Sequence, residues 1–145
     1  METLFTVVNT GVLLPWALMI FAPGWKWTQR IIYSLAIPLL IAFAYIALVV
    51  PALGSGSEMP DFSTLDGIRS LFQDDTGIVA GWFHYLAFDL FVGSWELSDA
   101  RKHGIGHAWL VPCLLFTFMM GPAGMALYLA VRWYKLRSSR VLGDH

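Results

Sequence analysis

Four stretches of about twenty mainly apolar residues constrain this chain more than any other feature, because a transmembrane helix needs a run of that length, roughly 17–25 residues. They are Leu4–Phe21, Ile31–Val50, Ile78–Leu97 and Ala108–Val131. Ala22-Pro23-Gly24 stops the first and Pro51 the second. Only helices and closed barrels satisfy every backbone polar group inside lipid. The runs lack the strict alternation of barrel strands, so each is expected to be a helix. The expected fold is an all-α membrane protein, a single transmembrane domain over residues 1–145 built as a bundle of four transmembrane helices.

Composition supports a lipid solvent. Hydrophobic residues make up 57% and charged residues 13% of the chain, against about 25% charged in soluble domains. Too little polar surface remains to cover a soluble core. Trp25, Trp27, Trp82, Trp95, Trp109 and Trp133 fall near run ends, where amphipathic rings settle at the headgroup level. A formal net charge of −1 carries no overall basic footprint, so no nucleic-acid partner is expected. The single cysteine, Cys113, forms no intrachain disulfide and lies in an apolar run, which suits a buried or lipid-facing thiol. Met1 and Glu2 provide no basic leader, so the first run is expected to stay as an anchor. Pro15, Pro38 and Pro112 predict kinks, and Gly121-Pro122-Ala123-Gly124 predicts an opened turn within the fourth run where a ligand can approach the backbone.

The long connection from Pro51 to Gly77 starts with a flexible Gly54-Ser55-Gly56-Ser57 stretch. Leu65, Ile68, Leu71 and Phe72 then share one helical face. The spacing predicts a short interfacial helix over about Ser63–Phe72, with Asp61 or Ser63 as its cap. With four crossings, Lys26, Arg30, Arg101 and Lys102 lie on one side of the membrane. Arg69, Arg132, Lys135, Arg137 and Arg140 lie on the other, and the tail cluster favours both termini in the cytoplasm.

Chemistry concentrates in the third run. Asp89 lies eight residues before Leu97, about 12 Å deep along the helix axis. A carboxylate at a helix centre costs about 2.5–3.5 kcal/mol, which the nine Leu, Ile, Phe and Val residues of the run offset with about 4 kcal/mol. A residue held there against such a cost faces the bundle interior and marks function. Asp89, Gly93 and Glu96 form one stripe, continued by Tyr85 and Trp82, and Tyr85 is the nearest hydrogen-bonding neighbour. His84 points about 140° away around the helix. Asp89 and His84 are the candidate catalytic pair, since general acid/base work needs one group to give a proton and another to take it. Trp82, Tyr85, Trp95, Glu96, Asp99, Arg101 and His107 are the candidate substrate contacts. The bland reading of Asp99, Arg101, His103 and His107 is an interfacial turn in which Asp99 pairs with Arg101 or Lys102. No HExxH or paired ExxH spacing occurs, so no metal is expected.

These residues carry a resemblance. Leu14-Pro15, Ala22-Pro23, Leu65 through Phe72, Trp82-x-His84 with Asp89-Leu90-Phe91, Asp99, His107 and Cys113-Leu114-Leu115-Phe116 with a later Pro-x-Gly are similar to the abscisic-acid-deficient-four family. Its plant members are required for neoxanthin formation in plastids. The chain departs from the plant pattern at Trp95-Glu96, in lacking a plastid leader, and in a longer Thr117–Gly121 segment before Pro122. The resemblance implies a multi-pass protein, here of a bacterial inner membrane, acting on a carotenoid or another polyisoprenoid lipid. It implies an isomerisation in which an epoxide opens as a neighbouring carbon loses a proton to give an allene, without a cofactor.

Asp89 and His84 would supply the acid and base. The alternative is a non-enzymatic protein that holds a lipid or a carotenoid enzyme, with Asp89 and His84 as packing hydrogen bonds and Gly77 and Gly81 easing helix contact. Transport is a third reading. A bundle of four spans is small for a lone catalyst, which makes a homodimer an expectation.

Overall fold

The computed structural model describes residues 1–54 and 60–137; Ser55, Gly56 and Ser57 of the expected flexible stretch, and Arg140, lie outside the described residues. Those residues form α-helices and no strand. In chain order they are α1 (Glu2–Gly11), α2 (Leu13–Phe21), α3 (Lys26–Tyr33), α4 (Ala36–Gly54), α5 (Leu65–Ser70), α6 (Asp75–Lys102), α7 (His107–Met120) and α8 (Pro122–Leu136). Three runs are long and apolar enough to cross a membrane: Glu2–Phe21 with 20 residues, Lys26–Gly54 with 29 and Asp75–Lys102 with 28. The most apolar 18 residues of the middle one have a mean hydropathy of 2.5, yet only 6% of that stretch is buried inside the protein. Side chains such as Leu40 and Phe43 point outward at 67% and 66% exposure. Apolar surface on that scale needs lipid or a partner to cover it.

The chain divides into two compact units. The first holds residues 1–14 and 36–88. In it, Trp82 Nε1 donates to Asn9 Oδ1 at 3.0 Å and joins α1 to α6. Thr64 caps α5, its hydroxyl accepting from the Gly67 amide at 3.1 Å. The expected caps are engaged one step earlier. Ser63 donates to Asp61 Oδ1 from both its amide (2.9 Å) and its hydroxyl (2.6 Å), which leaves the helix start to Thr64. Those two bonds hold the Asp61 carboxyl below its ordinary pKa. Their contribution is therefore present above the ordinary carboxylate pKa and is lost as pH falls through the lowered one. Thr64→Ala is expected to cost about 1 kcal/mol locally, read as faster amide exchange confined to α5. Gly77 and Gly81 lie against the segment that leads into α6: added β-carbons would meet the Leu71 carbonyl and the Phe72 ring.

The second unit holds residues 15–35 and 89–137 of the described chain. Here the sequence expectation of one continuous fourth span is corrected. Gly121 adopts φ 42°, ψ −95°, ends α7 and leaves Pro122 to open α8. Only glycine tolerates that backbone, and proline is preorganised for a first helical turn. The chain then reverses. Trp109 meets Tyr134 with ring centroids 6.4 Å apart. At Gly124 an added Cβ would overlap the Thr117 backbone. The two helices pack antiparallel along their length. At 14 residues α7 is about 21 Å long, short of the roughly 30 Å hydrocarbon core. The opened turn expected at Gly121-Pro122 is in fact the apex of a helical hairpin.

Candidate functional site

Three carboxylates share one face of α6 in the second unit. Glu96 follows Asp89 by two helical turns, and Asp99 follows Glu96 by one. Asp89 and Asp99 are each 8% exposed and Glu96 is fully buried. Glycine permits this burial at Gly93, whose missing side chain leaves room for the Trp16 ring; a Cβ there would come 2.6 Å from it. Trp16 also packs on Phe118, ring centroids 5.4 Å apart, so α2 and α7 meet over the stripe.

The hairpin supplies the partners. Thr117 Oγ1 of α7 donates to Glu96 Oε1 at 2.8 Å. From α8, the Tyr128 hydroxyl donates to Asp99 Oδ2 at 2.6 Å and Arg132 Nε donates to the same oxygen at 2.8 Å. His103 Nδ1 lies 3.2 Å from Asp99 Oδ1 and 2.9 Å from the Asp99 carbonyl. The hairpin apex reaches Asp89, since a Cβ on Gly121 would stand 2.6 Å from Asp89 Oδ1. Two buried oxygens, Glu96 Oε2 and Thr28 Oγ1, make no hydrogen bond. Leaving such an atom unsatisfied costs about 1–3 kcal/mol, a cost that folding alone does not require.

The remaining sequence candidates fall into separate groups. His84, Trp82 and Tyr85 belong to the first unit. His84 is exposed and lies among rings, 5.8 Å from Tyr45 and 4.6 Å from Phe88 between centroids. Trp82 stacks on Tyr85 at 5.3 Å. In the second unit Trp95 meets Tyr128 edge-on at 5.4 Å, above the Asp99 cluster. Arg101 and His107 come together beside a cavity of about 250 Å³ walled by Pro23, Leu97, Ile105 and Leu110. The expected pairing of Asp99 with Arg101 is corrected. Arg101 Nη1 donates to the Pro23 carbonyl at 2.9 Å, while Arg132, which sequence spacing placed in the tail, reaches Asp99 because α8 folds back. Thr117, Tyr128, Arg132 and Asn9 carried no sequence signal of their own. Cys113 is buried, its thiol 3.3 Å from the Trp109 carbonyl.

The described residues contain no group of three or more His, Cys, Asp or Glu arranged to hold a metal ion. The stripe is instead a set of carboxyl groups kept from water, with hydroxyl donors and one guanidinium to orient them. Such an arrangement can give and take protons. Comparison with the curated proteins and with the solved structures finds no match. A family model described as ABA DEFICIENT 4-like matches residues 3–128, which takes in all of α6 and α7 and the α8 residues up to Tyr128. The chain belongs to the ABA DEFICIENT 4-like family.

Proposed function

We propose that the chain is a multi-pass membrane protein of a bacterial inner membrane and an acid/base isomerase for a carotenoid or related polyisoprenoid lipid. The family supports the substrate class through its association with neoxanthin formation, and the buried carboxyl stripe supports the chemistry. The observation that carries the reading is the stripe of Asp89, Glu96 and Asp99, buried under the α7–α8 hairpin. Ionisable groups at such depth are expensive to keep and are retained where a pathway or a reaction uses them.

In the reaction proposed, one carboxyl group protonates the epoxide oxygen as a ring carbon–oxygen bond breaks. A second group removes a proton from the neighbouring chain carbon, whose electron pair forms the new double bond of the allene. One proton enters and one leaves, so substrate and product are isomers and no oxidant is consumed. Asp89, beside the hairpin apex, and Glu96, with one oxygen free of hydrogen bonds, are the proposed pair. Asp99 is held by Arg132 and Tyr128 and serves to orient. His84 is the proposed alternative to Glu96 for the second proton-transfer role.

The test is pigment conversion at equal protein level. Asp89→Asn and Glu96→Gln are each expected to lower conversion by about 10²–10⁴-fold, the usual contribution of a proton-transfer group. A matching loss in His84→Ala with none in Glu96→Gln moves the second role to His84. Full conversion by Asp89→Asn ends the mechanism. The second reading, a non-enzymatic partner of a lipid or carotenoid enzyme, is favoured by the outward apolar surface of α4. Its signature is a stoichiometric, unmodified pigment or protein that copurifies without turnover.

A further inference from the structure

Exposed charge is divided between the two units by sign. In the second unit Lys26, Arg30, Arg101, Lys102, Lys135 and Arg137 are exposed, whereas its described acids, Asp89, Glu96 and Asp99, are all buried. In the first unit Glu2, Asp61, Asp66, Asp74 and Asp75 are exposed, and Arg69 is the one cation among the described residues.

The cations of the second unit gather where its helices end. Arg101 bonds to the Pro23 carbonyl, and His107 Nε2 donates to the Ile20 carbonyl at 2.8 Å, which ties the end of α2 to the α6–α7 corner. Lys135 sits 4.1 Å over the Trp109 ring and brings the end of α8 to the start of α7.

We propose that α7–α8 is a re-entrant hairpin that enters the membrane from the cytoplasmic side and returns to it, and that the cationic end of the second unit docks on anionic lipid headgroups of that leaflet. The inference rests on the membrane-spanning part of the proposed function and is independent of the acid/base chemistry. Three observations lead to it. Each hairpin arm is too short to cross, and Gly121 turns the chain fully back. The apex lies beside Asp89, thirteen residues and about 20 Å from Lys102 along α6, which matches the length of α7.

Charge supplies the direction. With the hairpin folded back, Arg132, Lys135 and Arg137 join Lys26, Arg30, Arg101 and Lys102 on one side of the membrane. Arg69 is left opposite them. Cytoplasmic segments carry the Lys/Arg excess, and such clusters attract anionic headgroups. Trp25, Trp27, Trp109 and Tyr134, all exposed, ring this end as an interfacial belt. The cavity beside Arg101 and His107 offers apolar walls for the first acyl carbons below a headgroup. Three crossings and one re-entrant hairpin put the chain's two ends on opposite faces, in place of the shared cytoplasmic side expected from four crossings.

The test labels the full chain in intact and permeabilised cells with a membrane-impermeant maleimide, the native chain with its buried Cys113 serving as blank. Thr3→Cys and Asp66→Cys are expected to react in intact cells, and Lys102→Cys and Arg137→Cys only after permeabilisation. Reaction of positions 66 and 137 from the same side overturns the hairpin, because α7–α8 must then cross. Release of the protein by alkaline washing overturns the membrane reading itself. For the partner, purified protein is equilibrated with vesicles of equal phosphatidylglycerol and phosphatidylcholine, and retained lipid is read by native mass spectrometry. Phosphatidylglycerol is expected to be preferred, with Arg101→Gln, Lys102→Gln and Lys135→Gln each weakening the preference about fivefold. Equal retention of the two lipids, or full displacement by inorganic phosphate, overturns the headgroup as partner.

Discussion

Gly124→Val is expected to open the α7–α8 hairpin and expose Cys113. Any side chain at position 124 must occupy the space of the Thr117 backbone nitrogen and Cα, and the backbone of a packed helix cannot swing aside as a long side chain can. Overpacking costs typically 1–3 kcal/mol and occasionally more. The rigid obstacle places this substitution at the top of that range, about 3 kcal/mol, which is a rise of about 150-fold in the opening equilibrium. Cys113 reports on it directly, because the thiol is buried within α7 and is the only cysteine in the chain.

The measurement is the rate of Cys113 modification in mild detergent, against Gly11→Ala as control, where an added Cβ meets nothing within 4 Å. An unchanged rate in Gly124→Val would mean that Thr117 and Gly124 are not in contact in solution. The loss should reach the site as well. Thr117 both packs against Gly124 and donates to Glu96, so opening the hairpin unhooks the carboxyl that the proposed chemistry needs.

Hydropathy made the helical class and three of the long apolar runs legible, because a length of apolar chain is a one-dimensional property. The fourth run shows the limit of that signal. Residues 108–131 are apolar throughout, and an apolar run reads the same whether it crosses a membrane or doubles back within it. The Gly121-Pro122 pair does mark a break in the sequence. What it does not reveal is that Gly121 takes a positive φ and turns a kink into a reversal. Arg132 shows the same limit. Flanked by Trp133 and Lys135 it reads as an interfacial tail cation, and only the returning α8 carries it to a 1% exposed position on Asp99.

Asp89 and Glu96, by contrast, were visible from helical spacing within one element, since a single helix fixes which of its residues share a face. Local spacing also set His84 about 140° away from Asp89; the histidine stands exposed among the rings of Tyr45 and Phe88. Partners brought by another helix, such as Thr117 for Glu96 or Asn9 for Trp82, leave no such trace.

Replacing Arg132 is the second change with a large expected effect. Arg132 is 1% exposed and its Nε lies 2.8 Å from an Asp99 oxygen that also accepts from Tyr128. The net worth of such a pair against an apolar replacement is small, because each charge gave up its hydration to be buried. Removing one member alone is different: it strands the other charge away from water and costs about 3–5 kcal/mol. Arg132→Gln should therefore destabilise the second unit strongly, seen as a large fall in the thermal midpoint in detergent. Arg137→Gln, an exposed cation in the same helical tail, should change it little, since exposed charges contribute about 0–1 kcal/mol.

The decisive variant combines Arg132→Gln with Asp99→Asn. The asparagine carbonyl still accepts from Tyr128, the stranded charge is gone, and the double variant should recover all but about 1.5 kcal/mol of the loss. If the double variant is as unstable as Arg132→Gln, the guanidinium is stabilising through packing of its stem rather than through Asp99. The acidic stripe would then have lost the cation that orients its outer end.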